Sequence, residues 1–155
     1  MLSLQTVLLC VHTFYLCRMN KEHQLIETRT AILERVSEGL IELRFKPDVK
    51  LDVTGMAEIV HAKRTLCGRQ EIDVLAILPP ELDFELNVLS MDHHAAHGGC
   101  GNAHRLAFAA QSSFNERLTN IYFRYHPRQH PTGIFLTEAD ARKWLATKLP
   151  TPSAS

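Results

Sequence analysis

The sequence predicts one α/β domain in the order β-β-α-β-α-β-α-β-α, with an opening hairpin and a single mixed, mostly parallel sheet. Three observations carry that expectation. Leu40–Lys46 alternates strictly, with Ile41, Leu43 and Phe45 on one side and Glu42, Arg44 and Lys46 on the other, as in a strand with one covered face. Ile72–Leu78 and Leu106–Ala110 are short apolar runs between breakers, which suits strands covered on both faces. Capped segments with helical periodicity separate the strands, and right-handed crossovers then lay helices against the sheet.

Thr28–Val36 has a β-rich start and meets the turn residues Ser37, Glu38 and Gly39, so it pairs with Leu40–Lys46 as a hairpin that Pro47 ends. Thr54 is the expected cap of the first helix. Met56, Ile59, Val60 and Leu66 lie near helical spacing there, and Gly68 supplies the stop. Pro79 and Pro80 close the strand from Ile72. Ser90 is the expected cap of a short helix through His97, ended by Gly98 and Gly99. After the Leu106 strand, Ser113-Phe114-Asn115-Glu116 reads as a capping box, the Ser hydroxyl accepting an amide while the glutamate reaches back. Phe114, Leu118, Ile121, Tyr122 and Tyr125 follow at helical intervals as an expected buried stripe. Pro127 and Pro131 break that helix, Gly133–Leu136 forms the last strand, and Thr137 caps a final helix with Ala141, Trp144 and Leu145 inward.

The 155 residues suit one domain, and 45% hydrophobic with 22% charged content argues against disordered, collagen-like and disulfide-stapled chains. Seventeen basic and seventeen acidic side chains leave no formal net charge, so a whole-chain grip on nucleic acid or anionic lipid is not expected. Cysteines 10, 17, 67 and 100 form no CxxC pair, which favours a reducing cytoplasm over a zinc ribbon or redox motif. Leu2–Cys17 is apolar-rich but shorter than a membrane span. Its basic neighbours Arg18 and Lys21 follow it, the reverse of a secretory signal. Residues 1–23 are therefore expected to be an N-terminal extension upstream of an alternative start at Met19, a helix docked on the domain and a weak membrane anchor being the other readings, with 24–149 the domain and 150–155 a frayed tail.

The densest polar cluster is Asp92-His93-His94-Ala95-Ala96-His97, followed by Cys100 and His104. On a helix His93 and His97 share a face as paired zinc ligands do, with Asp92 or Cys100 as a third ligand. The glutamate of HExxH is missing and two glycines precede Cys100, so a solvated, histidine-rich helix end is the plainer expectation. Cys100 has no identifiable orienting partner as a nucleophile. Gly98-Gly99-Cys100-Gly101 precedes a strand and lacks the dinucleotide-loop spacing. Ser112 and Ser113 could cradle an anion at a helix start, although capping explains both. Tyr122–His130 interleaves aromatics with cations, yet the apolar stripe and the helix C-terminus explain the same residues. Leu86–Asn102 combines a short helix, histidines and glycines in the manner of a functional loop. Ser90, His93, His94, His97 and Asn102 are accordingly the candidate binding residues.

Asn120-Ile121-Tyr122-Phe123-Arg124, Pro131-Thr132-Gly133-Ile134-Phe135 and Ala141-Arg142-Lys143-Trp144-Leu145 together resemble the ending of a group of uncharacterised bacterial STAS-like proteins. Their fold is that of anti-sigma-factor antagonists and, more distantly, of CRAL-TRIO lipid carriers. The resemblance spans roughly residues 24–147 and implies a regulatory domain that presents the region around Ser90 to partners. In phosphorylatable STAS proteins an Asp-Ser pair starts the helix after the third strand; here Leu89 precedes Ser90, so the Asp is missing. The expectation is a cytoplasmic, non-catalytic protein-interaction or regulatory domain with an unidentified protein partner, a homodimer being one arrangement. No cofactor, nucleic acid or membrane partner is expected. The alternative is a small-ligand or lipid-binding domain with a pocket between helices and sheet. A weaker alternative is a metal-dependent enzyme using His93, His97 and Cys100.

Overall fold

The computed structural model describes residues 24–96 and 103–148. β1 (Gln24–Glu27), β2 (Ala31–Ser37) and β3 (Leu40–Phe45) form an antiparallel meander. After them come α1 (Val53–Cys67), β4 (Ile72–Ile77), α2 (Asn87–Ser90), α3 (His93–Ala96), β5 (Ala103–Ala109), α4 (Ser113–Tyr125), β6 (Thr132–Phe135) and α5 (Glu138–Ala146). The six strands lie in sequence order in one sheet, with β3 to β6 mutually parallel. The mixed α/β sheet is thus as the alternation predicts, with two differences. Gln24–Glu27 adds an edge strand to the hairpin; its Ile26 pairs with Leu33 and packs on the core, but four residues are too few for a readable period. The expected helix from Ser90 to His97 is instead two four-residue turns, and His97 lies outside the described residues.

Strand order dictates where the helices lie. Each parallel strand is added on the same side of the last, so right-handed crossovers all fall on one face. Ala31, Leu33, Leu43, Phe45, Ile72 and Ala76 pack there against Ile59, Ala62, Leu66 and Cys67 of α1. Val74, Ala103 and Leu106 pack beside Phe123 of α4, and Phe108 touches both groups. α5 follows the last strand, crosses nothing, and covers the opposite face, where Ala141 meets Leu75, Ile77, Ala107 and Ala109. The polar side of β3 faces that way too. Arg44 binds Glu138 at 2.9 Å and Arg142 binds Glu42 at 2.6 Å, which fastens the flank of α5.

Three helix details correct the sequence expectations. Asp52, not Thr54, caps α1: its Oδ1 accepts the Gly55 amide (2.7 Å) and also the Arg29 guanidinium (2.5 Å). Ser112, not Ser113, caps α4 by accepting the Asn115 amide at 3.2 Å. Asn115 rather than Glu116 therefore occupies the third helical position, and no capping box forms. The expected buried stripe of α4 is also displaced. Asn115 and Thr119 are buried, whereas Phe114, Ile121 and Tyr125 are 63%, 45% and 75% exposed. The two stripes are one residue, about 100°, apart around the helix. Trp144 is half-buried, its ring 5.7 Å from that of Phe135 and 5.7 Å from the Arg105 guanidinium.

Candidate binding site

The carboxyl ends of parallel strands, where chains leave for their crossovers, are the usual place for sites in α/β sheets. Here they are laced together by amides. Gln111, held at φ 59°, donates its Nε2 to the Leu78 carbonyl at 2.7 Å. Asn115 donates Nδ2 to the carbonyls of Pro79 (2.8 Å) and Ala110 (2.9 Å), tying the ends of β4 and β5 to the first turn of α4. Pro79 and Pro80 end β4 and turn those carbonyls toward Asn115. The orientation of the Asn115 amide is fixed, because only Nδ2 can face carbonyl oxygens. Its Oδ1 is buried and meets no hydrogen-bond donor among the described residues.

An apolar cavity of about 100 Å³ lies under this lacing, between α4, the 82–93 segment and the sheet. Phe45, Leu78, Val88, Phe108, Leu118 and Phe123 contribute apolar walls, and Asn115 and Thr119 of α4 also border it. The α2–α3 segment is clamped to α4 by polar contacts. The Tyr122 hydroxyl donates to the Met91 carbonyl at 3.3 Å and accepts the His93 amide at 3.4 Å. His126 Nε2 reaches the Leu89 carbonyl (3.2 Å), and Arg128 binds Asp92 (3.0 Å). Asp92 also caps α3, its Oδ1 accepting the amides of His94 and Ala95 at 3.1 Å each. Burial works to raise the Asp92 pKa, but the Ala95 amide and Arg128 outweigh it and hold the carboxyl below its usual value.

Beside the clamp runs a polar groove of about 580 Å³ whose lining includes Glu71, His94, His104, Arg128 and His130. His94 is held neutral there: burial, then the nearby Lys63 and Arg128 cations, push its pKa to about 3. Lys63 is itself buried, and its Nζ lies 3.5 Å from His94 Nδ1. Burial lowers His130 as well, and burial raises the Tyr122 phenol.

The structure separates the residues singled out from the sequence. Ser90 is the last residue of α2, exposed, its hydroxyl donating to the Asn87 carbonyl at 2.9 Å; it caps no helix. His93 is fully buried, its Nε2 donating to the Val88 carbonyl at 2.7 Å, so it belongs to the core and not to a solvated helix end. His94 faces the groove. His97, Cys100 and Asn102 lie outside the described residues, and among the described residues no three His, Cys, Asp or Glu side chains are grouped to hold a metal ion. Ser112 is engaged as a cap, and Ser113 is exposed beside it. Asn115, Thr119, Tyr122 and Arg128 are not among the candidate binding residues. The capping-box reading takes up Asn115, the apolar stripe and helix C-terminus take up Tyr122 and Arg128, and only the polar residues at i and i+4, Asn115 and Thr119, hint at a second face.

A family of domains of unknown function, DUF7793, matches residues 34–148. No curated protein matches the chain. A similar solved structure is an uncharacterized protein from the DUF3478 family of Shewanella loihica PV-4, described as having a SpoIIAA-like fold. It is 14% identical, covers 79% of this chain and 91% of its own, and superposes with a TM-score of 0.49.

Proposed function

We propose that this chain, which belongs to the DUF7793 family of domains of unknown function, acts as a non-catalytic, cytoplasmic interaction module that engages a protein partner through the outer face of α4. The observation that carries this reading is the exposure of Phe114, Ile121 and Tyr125 at i, i+7 and i+11 on one helix face. Large apolar side chains gathered on one exposed stripe are uncommon on a monomer's surface, and aromatics such as Phe114 and Tyr125 are enriched in protein interfaces. Arg117 and Arg124 stand exposed on the same helix and supply a polar rim. The regulatory role implied by the STAS-like resemblance agrees with a binding surface. The resemblance implies a surface around Ser90, but the Ser90 side chain is spent on its own turn, and our reading takes the outer face of α4 instead. No helix among the described residues is long and apolar enough to cross a membrane.

The test is affinity capture from the native host with wild type and an Ile121→Glu/Tyr125→Glu double variant, with sedimentation of both. Both positions are exposed, so the variant should melt within a few degrees of wild type. A specific partner should be captured by wild type and lost by the variant; loss of self-association instead would make the partner a second copy. Identical capture and identical sedimentation by both proteins would remove α4 from the interface and end this reading.

A further inference from the structure

We infer that the partner of the outer α4 face is a second copy of this chain, seated so that Arg117 and Arg124 of each protomer meet Glu81, Asp83 and Glu85 of the other. The inference rests on the reading of that face as an interface and names what covers it. Its basis is a second exposed strip beside the first. Around Phe84 the chain is extended: the Leu51 amide donates to the Asp83 carbonyl and the Glu85 amide to the Leu51 carbonyl, both at 2.9 Å. Leu82 and Phe84 turn inward to line the apolar cavity, so Glu81, Asp83 and Glu85 alternate outward and stand exposed. Leu86 follows them at 80% exposure. The acidic strip and the α4 stripe flank one cavity, which Leu82 and Leu89 line from one side and Leu118 from the other.

Charge names the occupant. Among the described residues no ion pair engages Glu81, Asp83, Glu85, Arg117 or Arg124. Within one protomer these groups are held apart. Tyr122 and His126 mark the side of α4 that touches the 87–96 segment, into which the acidic strip leads. At about 100° per residue, Arg117 and Arg124 fall on the opposite flank, with Phe114, Ile121 and Tyr125 between. The surface therefore runs from acid through apolar to base. A two-fold axis along the apolar stripe lays that stripe on its copy and sets acid over base on both flanks, as a self-complementary interface requires. The spacings agree. Arg117 and Arg124 stand about 10 Å apart along the helix, and Glu81 and Glu85 about 13 Å apart along the extended chain. With no formal net charge, one copy does not repel another. An unrelated partner would have to bring an apolar strip edged with carboxylates, and this chain already carries one beside the face.

The experiment is sedimentation and native mass spectrometry of the full chain in three forms: wild type, Arg117→Glu/Arg124→Glu, and Glu81→Lys/Asp83→Lys/Glu85→Lys. Wild type should form a dimer at sub-millimolar concentration, and the dimer should weaken as salt is added. Each charge-reversed variant should dissociate about tenfold or more readily, because a two-fold interface carries every reversed contact twice. Mixed in equal amounts, the two variants should form a one-to-one dimer with the affinity of wild type, since reversal on both sides restores each acid–base contact. That rescue also shows that both variants are folded. A monomeric wild type, reversed variants that dimerise undiminished, or a mixture without mixed dimers would overturn the inference. A monomeric wild type whose captured protein is still lost on Ile121→Glu/Tyr125→Glu would overturn self-pairing alone and keep α4 as an interface. Dimers indifferent to that variant and to both charge reversals would remove α4 as well.

Discussion

Replacing Arg105 with methionine should destabilise the domain by about 3–5 kcal/mol, the usual result of removing one partner of a buried ion pair. Arg105 projects from β5 with its side chain 8% exposed. It grips Asp73 of β4 through Nε at 3.2 Å and Nη2 at 2.6 Å. It also donates to the carbonyls of Leu145 and Thr147, both at 2.7 Å, where α5 ends and its dipole is negative. Methionine keeps much of the apolar stem but leaves the Asp73 carboxylate, 16% exposed, with only His104 at 3.1 Å. His104 is half exposed and recovers little, since surface pairs are worth about 0–1 kcal/mol. Adding Asp73→Asn removes the stranded charge, so the double variant should regain roughly 1–3 kcal/mol over Arg105→Met alone. Urea unfolding at pH 7 of the two single variants and the double measures both quantities. A loss below about 1 kcal/mol for Arg105→Met, or additive single effects, would show that the clamp is hydrated and does not hold α5 to the sheet.

Ser112→Ala should cost about 1 kcal/mol in the same assay and Ser113→Ala less than about 0.5, because only Ser112 accepts a helix amide; the reverse order would restore the capping box. Trp144→Ala should cost roughly 2–4 kcal/mol, below the value for a fully enclosed tryptophan, since the ring is half-buried against Phe135. A water-like fluorescence maximum for native protein would refute that packing. His94 ties stability to acid. Its pKa is about 3 in the fold and 6.5 ordinarily, so unfolding takes up a proton between those values; the contribution is whole above pH 6.5 and drains as pH falls toward 3. By pH 4.5 the loss from this group is about 2–3 kcal/mol. Denaturant unfolding at pH 7.5 and 4.5 should therefore show a shallower pH dependence for His94→Gln than for wild type, and parallel profiles would mean that His94 is hydrated in the fold.

The features legible in the sequence were those with a local cause. The two-sided alternation of Leu40–Lys46 places Ile41, Leu43 and Phe45 in the core, as read, and Glu42 and Arg44 against α5. Gly68 ends α1 at φ 60°, its amide returning to the Arg64 carbonyl. Illegible features were those decided by partners distant in the chain. Whether Ser112 or Ser113 caps α4 depends on which side of the helix must meet carbonyls 79 and 110, more than thirty residues away in one case. The stretch from Ser90 to His97 reads as one short helix because nothing nearby shows that His93 must turn inward to Val88 or that Asp92 must serve both an α3 amide and Arg128. Asn115 was hidden for the same reason, as a polar residue whose burial is repaid by loop carbonyls that no periodicity reveals.

The displacement of the α4 stripe follows from the same lacing. A helix turns its apolar side inward when burial of carbon is the only demand on it. α4 carries a second demand, because the carbonyls of Pro79 and Ala110 are left without strand partners where β4 and β5 end, and leaving such groups unmet costs about 1–3 kcal/mol each. Asn115 meets both at once, and Thr119, one turn on, satisfies its own hydroxyl on the Asn115 carbonyl. With those two facing the sheet, Phe123 reaches the core, Tyr122 meets the α2–α3 segment, and Phe114, Ile121 and Tyr125 are carried outward. α4 lies at the β5–β6 end of the sheet with the α2–α3 hook beside it, and among the described residues that outer stripe stays exposed. One pair of polar residues thereby gives the helix two unlike sides, an inner one tied to the strand-end carbonyls and an outer one bearing Phe114, Ile121 and Tyr125.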